Sequence, residues 1–318
     1  MEKVVIIVVS VKKSYQKRIW ITIITVILLF CTISMAVTKL VYDGIFSRYD
    51  QSAQIPEELN TMVQQRTVCR FPSGENLLAG YYYAAADPAQ ANGLILLVPG
   101  FHAGGDDYLW QIRELMDYGW GVFTFDATGT LGSQGKSQVG FSQLIPDLEA
   151  ALKYVENNRR FGYNDIVLMG HSRGGYAACC LGQSWDVAAV VSVSGVNSAM
   201  EAVMQPSVDA VGPVSYGNYG FLWLYQCMLF GQDLLDRQAW QEISQKDIPV
   251  LVVHGTRDAD IPAQESAIIA YKDKISSQRV EYLFRDAGHT DLMYDVDGTA
   301  NDGLIKEIHG FLIRSLEK

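Results

Sequence analysis

The stretch IVLMGHSRGGYAACCLGQ, residues 166–183, decides the reading of this chain. Ile166–Met169 is a short apolar run of the kind that forms a strand buried on both faces. The alanine-rich stretch Arg173–Gln183 has the make-up of a helix. Between them stands G-x-S-x-G: Gly170, His171, Ser172, Arg173 and Gly174. On a sharp strand-to-helix turn the serine is thrust outward, and side chains two positions away on either side would clash, so glycine is needed there. A serine that merely caps a helix can write the same pentapeptide. The rest of the chain has to separate the two.

Outward from this turn the sequence alternates strands and helices. Thr67–Phe71 and Leu77–Tyr83 flank the turn-rich Pro72-Ser73-Gly74-Glu75-Asn76, a hairpin signal. Gly93–Val98, Trp120–Phe125, Ile166–Met169, Ala188–Val193, Pro249–Val253 and Val280–Phe284 follow as strands. Helical patterns lie over Asp106–Tyr118, residues 147–158, Arg173–Gln183, Ala263–Ile275 and Gly303–Leu316. This predicts an α/β fold with eight strands, mostly parallel, and helices on both faces. Residues 196–247 break the rhythm and are expected to form a small helical cap inserted after the sixth strand. Its aromatic residues Tyr216, Tyr219, Phe221, Trp223, Tyr225 and Phe230 are candidates to line an apolar acyl pocket.

Ligands of open α/β sheets sit at the carboxyl ends of strands. A serine hydroxyl there needs a base to take its proton. Of the five histidines, His102 and His171 lie in glycine-rich loops, His254 ends a strand and His309 falls in the last helix. His289, in Ala287-Gly288-His289-Thr290 just past the eighth strand, is expected to be the base. An acid must fix its tautomer and stabilise the imidazolium. Asp258, directly after the seventh strand, is preferred, with Asp260 as the alternative. Oxyanion donors are expected from two backbone N–H groups: Arg173 at the helix start, and Phe101 in the loop Pro99–Gly105.

The formal net charge of −10 argues against nucleic acid as a partner. The five cysteines, Cys31, Cys69, Cys179, Cys180 and Cys227, have neither disulfide-framework nor zinc-site spacing and read as free thiols. From Ile19 to Val37 no charged residue occurs, a length that suits a bilayer core of ~30 Å. Lys12, Lys13, Lys17 and Arg18 precede it, which predicts a cytoplasmic N-terminus and an extracytoplasmic domain. The expected organisation is a basic N-terminus (1–18), a transmembrane signal-anchor (19–38), a stalk or leading helix (39–66) and a catalytic domain (67–318). The alternative is secretion after cleavage near Ser34-Met35-Ala36.

Taken together, PGFHAGG after the third strand, DATGTLGSQGKS after the fourth, GHSRGG, HGTRDADIP and AGHTD resemble the α/β-hydrolase superfamily, over about residues 67–317. Within it the chain is similar to the monoacylglycerol-lipase-like and dienelactone-hydrolase-like groups. Two motifs depart from the pattern: Pro99-Gly100 stands for the usual His-Gly, and Asp126–Ser133 lacks the usual arginine and carries one extra residue. The resemblance implies a Ser172–Asp258–His289 triad working through an acyl-enzyme, with no cofactor and no metal. A carboxylic ester is the expected substrate. A short peptide or amide is the alternative, with Glu201, Asp209 or Asp233 holding its amino terminus. A non-catalytic, membrane-tethered binding protein is the third reading.

Overall fold

The computed structural model describes residues 2–87, 90–158, 161–245 and 247–317. In chain order the elements are α1 (Glu2–Ile45), α2 (Asn60–Gln65), β1 (Thr67–Ser73), β2 (Asn76–Tyr83), β3 (Leu94–Val98), α3 (Leu109–Asp117), β4 (Gly121–Phe125), α4 (Leu144–Asn157), β5 (Ile166–His171), α5 (Arg173–Gly182), β6 (Ala189–Val193), α6 (Ala199–Val211), α7 (Tyr219–Phe230), α8 (Gln232–Leu235), α9 (Ala239–Ile243), β7 (Val250–Gly255), β8 (Val280–Arg285) and α10 (Asp302–Leu316). The eight strands form one sheet in the order β1-β2-β4-β3-β5-β6-β7-β8. β1 and β2 are antiparallel to their neighbours, and β3 to β8 run parallel.

The continuous apolar runs follow from this geometry. Every residue of β3, β4, β6 and β7 is buried, because helices cover both faces. Side chains alternate across the sheet: Leu94, Leu96 and Val98 join the core beneath α4 and α5, while Ile95 and Leu97 join the one beneath α3 and α10. The strands therefore stop on a common edge, and the loops that follow them carry the polar residues.

The expected helix over Ala263–Ile275 is corrected to a turn followed by a 3-10 segment, Ile268–Lys274. The reason lies in the backbone. Asn197 N–H bonds Ser266 O at 2.7 Å and Ile268 N–H bonds Gly195 O at 3.0 Å, holding Ala267 in extended conformation. The segment pairs with the chain leaving β6 instead of coiling.

Residues 39–66 are folded onto the domain. The last turns of α1 bury Thr38 and Tyr42, and Phe46 follows on the same stripe. Tyr49 N–H then bonds Gly129 O at 3.0 Å, and Leu131 N–H bonds Tyr49 O at 2.8 Å. Arg48 donates to the carbonyls of Leu131, Ser133 and Gly135 at 2.6–3.0 Å. The loop that lacks its own arginine thus receives one from the segment behind α1, a link with no signal in the local sequence.

Candidate active site

The turn between β5 and α5 is as tight as the pentapeptide requires. Ser172 has φ 56° and ψ −119°, a conformation that L-residues adopt only under constraint. Its N–H is held by Val193 O at 2.8 Å. A Cβ on Gly174 would lie 2.1 Å from Val98 O, and one on Gly170 would lie 2.2 Å from the Gly174 backbone. Gly174→Ala is therefore expected to lower stability by about 3 kcal/mol or more, because backbone has to move. A melting temperature unchanged from wild type would contradict this.

Ser172 and His289 line one cavity of about 840 Å³, together with Gly100, Phe101 and His171. His289 Nδ1 and Asp258 Oδ2 are 2.8 Å apart. The other carboxylate oxygen of Asp258 accepts the Ile261 N–H at 2.8 Å, and its side chain is fully buried. Burial works against the Asp258 carboxylate. The His289 hydrogen bond, the Ile261 N–H and nearby His254 outweigh it and hold the pKa below the ordinary value. Asp260 is exposed and lines the cavity rim, without a bond to His289.

His254 also faces Asp258, at 3.4 Å. Its Nε2–H donates to Ile261 O at 2.9 Å, and burial lowers its pKa. His309 is remote: it accepts from Trp120 Nε1 and stacks on Tyr118. His102 stacks between Phe101 and Tyr49.

His171 is buried in the middle of a polar chain that the sequence reading did not anticipate. Gly100 N–H donates to the Tyr108 hydroxyl at 3.0 Å, and that hydroxyl meets His171 Nδ1 at 3.1 Å. His171 Nε2 lies 3.2 Å from the His289 carbonyl, which can only accept. Nε2 therefore carries the proton, and Tyr108 donates to Nδ1. Gly100 and Ser172 have thus committed their N–H groups, whereas among the described residues no acceptor takes that of Phe101.

Burial, and the neighbouring His289, push the His171 pKa down from 6.5 to about 4. Between these values the unfolded chain takes up a proton that the folded chain refuses, so stability falls as pH drops from 6.5 towards 4 and is unaffected above. The full effect is on the order of 3 kcal/mol. His171→Gln is expected to flatten the acid limb of melting temperature against pH, and parallel limbs would count against it.

On the cap side, α6 lines the cavity with Glu201, Gln205, Pro206 and Asp209. None of the six aromatic residues expected there does so. Two of them are turned to α1, where Tyr225 bonds Lys39 and Asp43 and Phe221 meets Phe30, while Tyr216 and Tyr219 line a second cavity on the other side of Glu201 and Gln205, and Trp223 bonds Asp236. The cavity is left to α6. Of the three acidic candidates, Asp233 lies away from the cavity. Glu201 is already bonded by Asn197, Ser198 and Tyr271.

No curated protein matches this chain by sequence. Among solved structures, an esterase from Pyrococcus furiosus superposes with a TM-score of 0.64 at 16% identity, over 84% of this chain and 98% of that one. Est1E from Butyrivibrio proteoclasticus with ferulic acid bound gives 0.58 at 16%, over 79% and 100%. An acylaminoacyl peptidase from Pyrococcus horikoshii gives 0.59 at 16%, over 84% of this chain but 44% of that one. Identities this low show a shared fold alone. The model of the Alpha/beta hydrolase family matches residues 95–302, and with the strand order and elbow described above the chain belongs to that family.

Proposed function

We propose that the protein is a membrane-anchored serine hydrolase that cleaves carboxylic esters, with Ser172 as nucleophile, His289 as base and Asp258 as the acid that orients it. The observation that carries this is the 2.8 Å His289–Asp258 pair beside a cavity that Ser172 also lines. With Nδ1 engaged by Asp258, Nε2 is the nitrogen left to take the Ser172 proton. Ser172 Oγ attacks the ester carbon, and the oxyanion is received by the N–H groups of Phe101 and Arg173, the second at the start of α5. His289 then protonates the departing alcohol, and water releases the acid by the same steps in reverse.

The anchor is α1. Tyr15–Ile45 is long and apolar enough to cross a bilayer, and the basic residues before it favour a cytoplasmic N-terminus with the catalytic domain outside. Its packing on the domain supports retention over cleavage near Ala36, because Cys31, Ser34 and Met35 share the stripe of Thr38 and Tyr42.

The test is labelling of the full chain with a fluorophosphonate, followed by rates on an ester and the matching anilide. Labelling at Ser172 with faster ester turnover is expected. A faster anilide would instead mark a peptidase. Failure of the folded protein to label would mark a binding protein.

A further inference from the structure

Helix α7 presents a problem that the catalytic site does not solve. From Pro213 to Gly231 the chain contains no charged residue, in a protein of net charge −10. A helix that is apolar on all sides has no face suited to water. Only Leu222, Tyr225 and Gln226 of α7 are buried. Leu224 and Met228 are exposed (44% and 72%), and Val214 and Tyr216 just before the helix are exposed too (75% and 59%).

What adjoins this surface is α1. Phe221 and Phe30 have ring centroids 6.1 Å apart, and Thr38 bonds Asn218. Phe30 lies within the uncharged run Ile19–Val37, about 10 Å of helix rise before its end. The start of α7 is therefore beside the apolar run, not beyond it. The contacts reach from the apolar run to the turns that follow it: Phe221 meets Phe30, Asn218 meets Thr38, and Gln226 meets Tyr42. Aromatic side chains with a polar tip, here Tyr216, Tyr219 and Trp223, are those that favour the boundary between hydrocarbon and headgroups.

We propose that α7 and the segment from Val214 form a second membrane contact, seated in the interfacial layer of the same bilayer that α1 crosses. The occupant of the exposed apolar surface is lipid. The argument for lipid over a protein partner is continuity: the surface extends directly from a segment with bilayer composition, and the charged groups at its border, Lys39, Asp43 and Asp236, meet the polar tips of Tyr225 and Trp223. The inference rests on the anchor reading of α1, and the test separates the two.

The full chain, with Cys31, Cys69 and Cys227 replaced by serine, is labelled with an environment-sensitive fluorophore at Leu29→Cys, Met228→Cys, Leu224→Cys or Val296→Cys and placed in phosphatidylcholine bilayers. Quenching by bromine-carrying lipid is compared with quenching by aqueous iodide. Lipid quenching at 228 and 224 of at least about half that at 29, with 296 quenched by iodide, is the expected result. Quenching at 29 by lipid, with 228 and 224 behaving like 296, would overturn the proposal and leave the anchor standing. Absence of lipid quenching at 29 would overturn both. Protection of 228 from both quenchers would assign the surface to a second copy or another protein, and would overturn the lipid assignment.

Discussion

Ser172→Ala is expected to lower kcat for ester hydrolysis by about 10⁶-fold, with KM changed little. The side chain lost is the one that forms the covalent bond, so neither His289 nor the oxyanion donors compensate. Ser172→Gly should lose activity to the same extent, yet its stability should rise. At φ 56° a serine is strained, by roughly 1–3 kcal/mol, and glycine is not. Against the extra freedom that glycine gives the unfolded chain, the net gain is about 1 kcal/mol. For a domain of this size that is a rise of about 2–4 °C in melting temperature. Activity of the alanine variant within tenfold of wild type would remove Ser172 from the mechanism. A glycine variant less stable than wild type would show that the turn is relaxed.

Asp258→Asn is expected to reduce kcat by about 10⁴-fold while leaving the protein folded. The amide has nearly the shape of the carboxylate and can still meet the imidazole. However, its NH₂ group can donate to Nδ1, which turns the ring to the tautomer whose Nε2 carries a proton and cannot act as a base. Asp260→Asn should stay within threefold of wild type, because Asp260 is exposed and holds no bond to His289. Equal losses at both positions would overturn the assignment of Asp258. The pair of variants therefore discriminates between two aspartates that stand only two residues apart.

Much of the sheet was legible because parallel strands buried on both faces write continuous apolar runs, and LILLV, GVFTF and AVVSV are such runs. That Ser172, Asp258 and His289 stand on the carboxyl edge of the sheet was legible for a related reason: each lies in the loop or turn that leaves a strand end. The sequence left Asp260 open beside Asp258, since both are in the same loop and what separates them is burial and the bond to His289. The chain from Gly100 through Tyr108 and His171 to His289 was hidden because it joins residues up to 189 positions apart in numbering. The aromatic cap misled for a different reason. Composition marks residues that seek a partner, but not which partner: Phe221 and Tyr225 meet α1, and Tyr216 and Tyr219 line a second cavity. The turn at Ala267 likewise depends on a distant backbone, that of Gly195 and Asn197.

The join between α1 and the domain has a mechanical consequence. Thr38, Tyr42 and Phe46 pass from helix to domain on one buried stripe, and Arg48 and Tyr49 then stitch the chain to the loop 129–138. No slack remains in which the domain can swivel. In the proposed membrane setting the enzyme tilts as a unit with its anchor, and the cavity stays at a fixed height over the lipid. Its search for substrate is then confined to a thin sheet of solvent and lipid, two-dimensional in character. Its encounter rate should follow substrate density at the surface more closely than concentration in bulk.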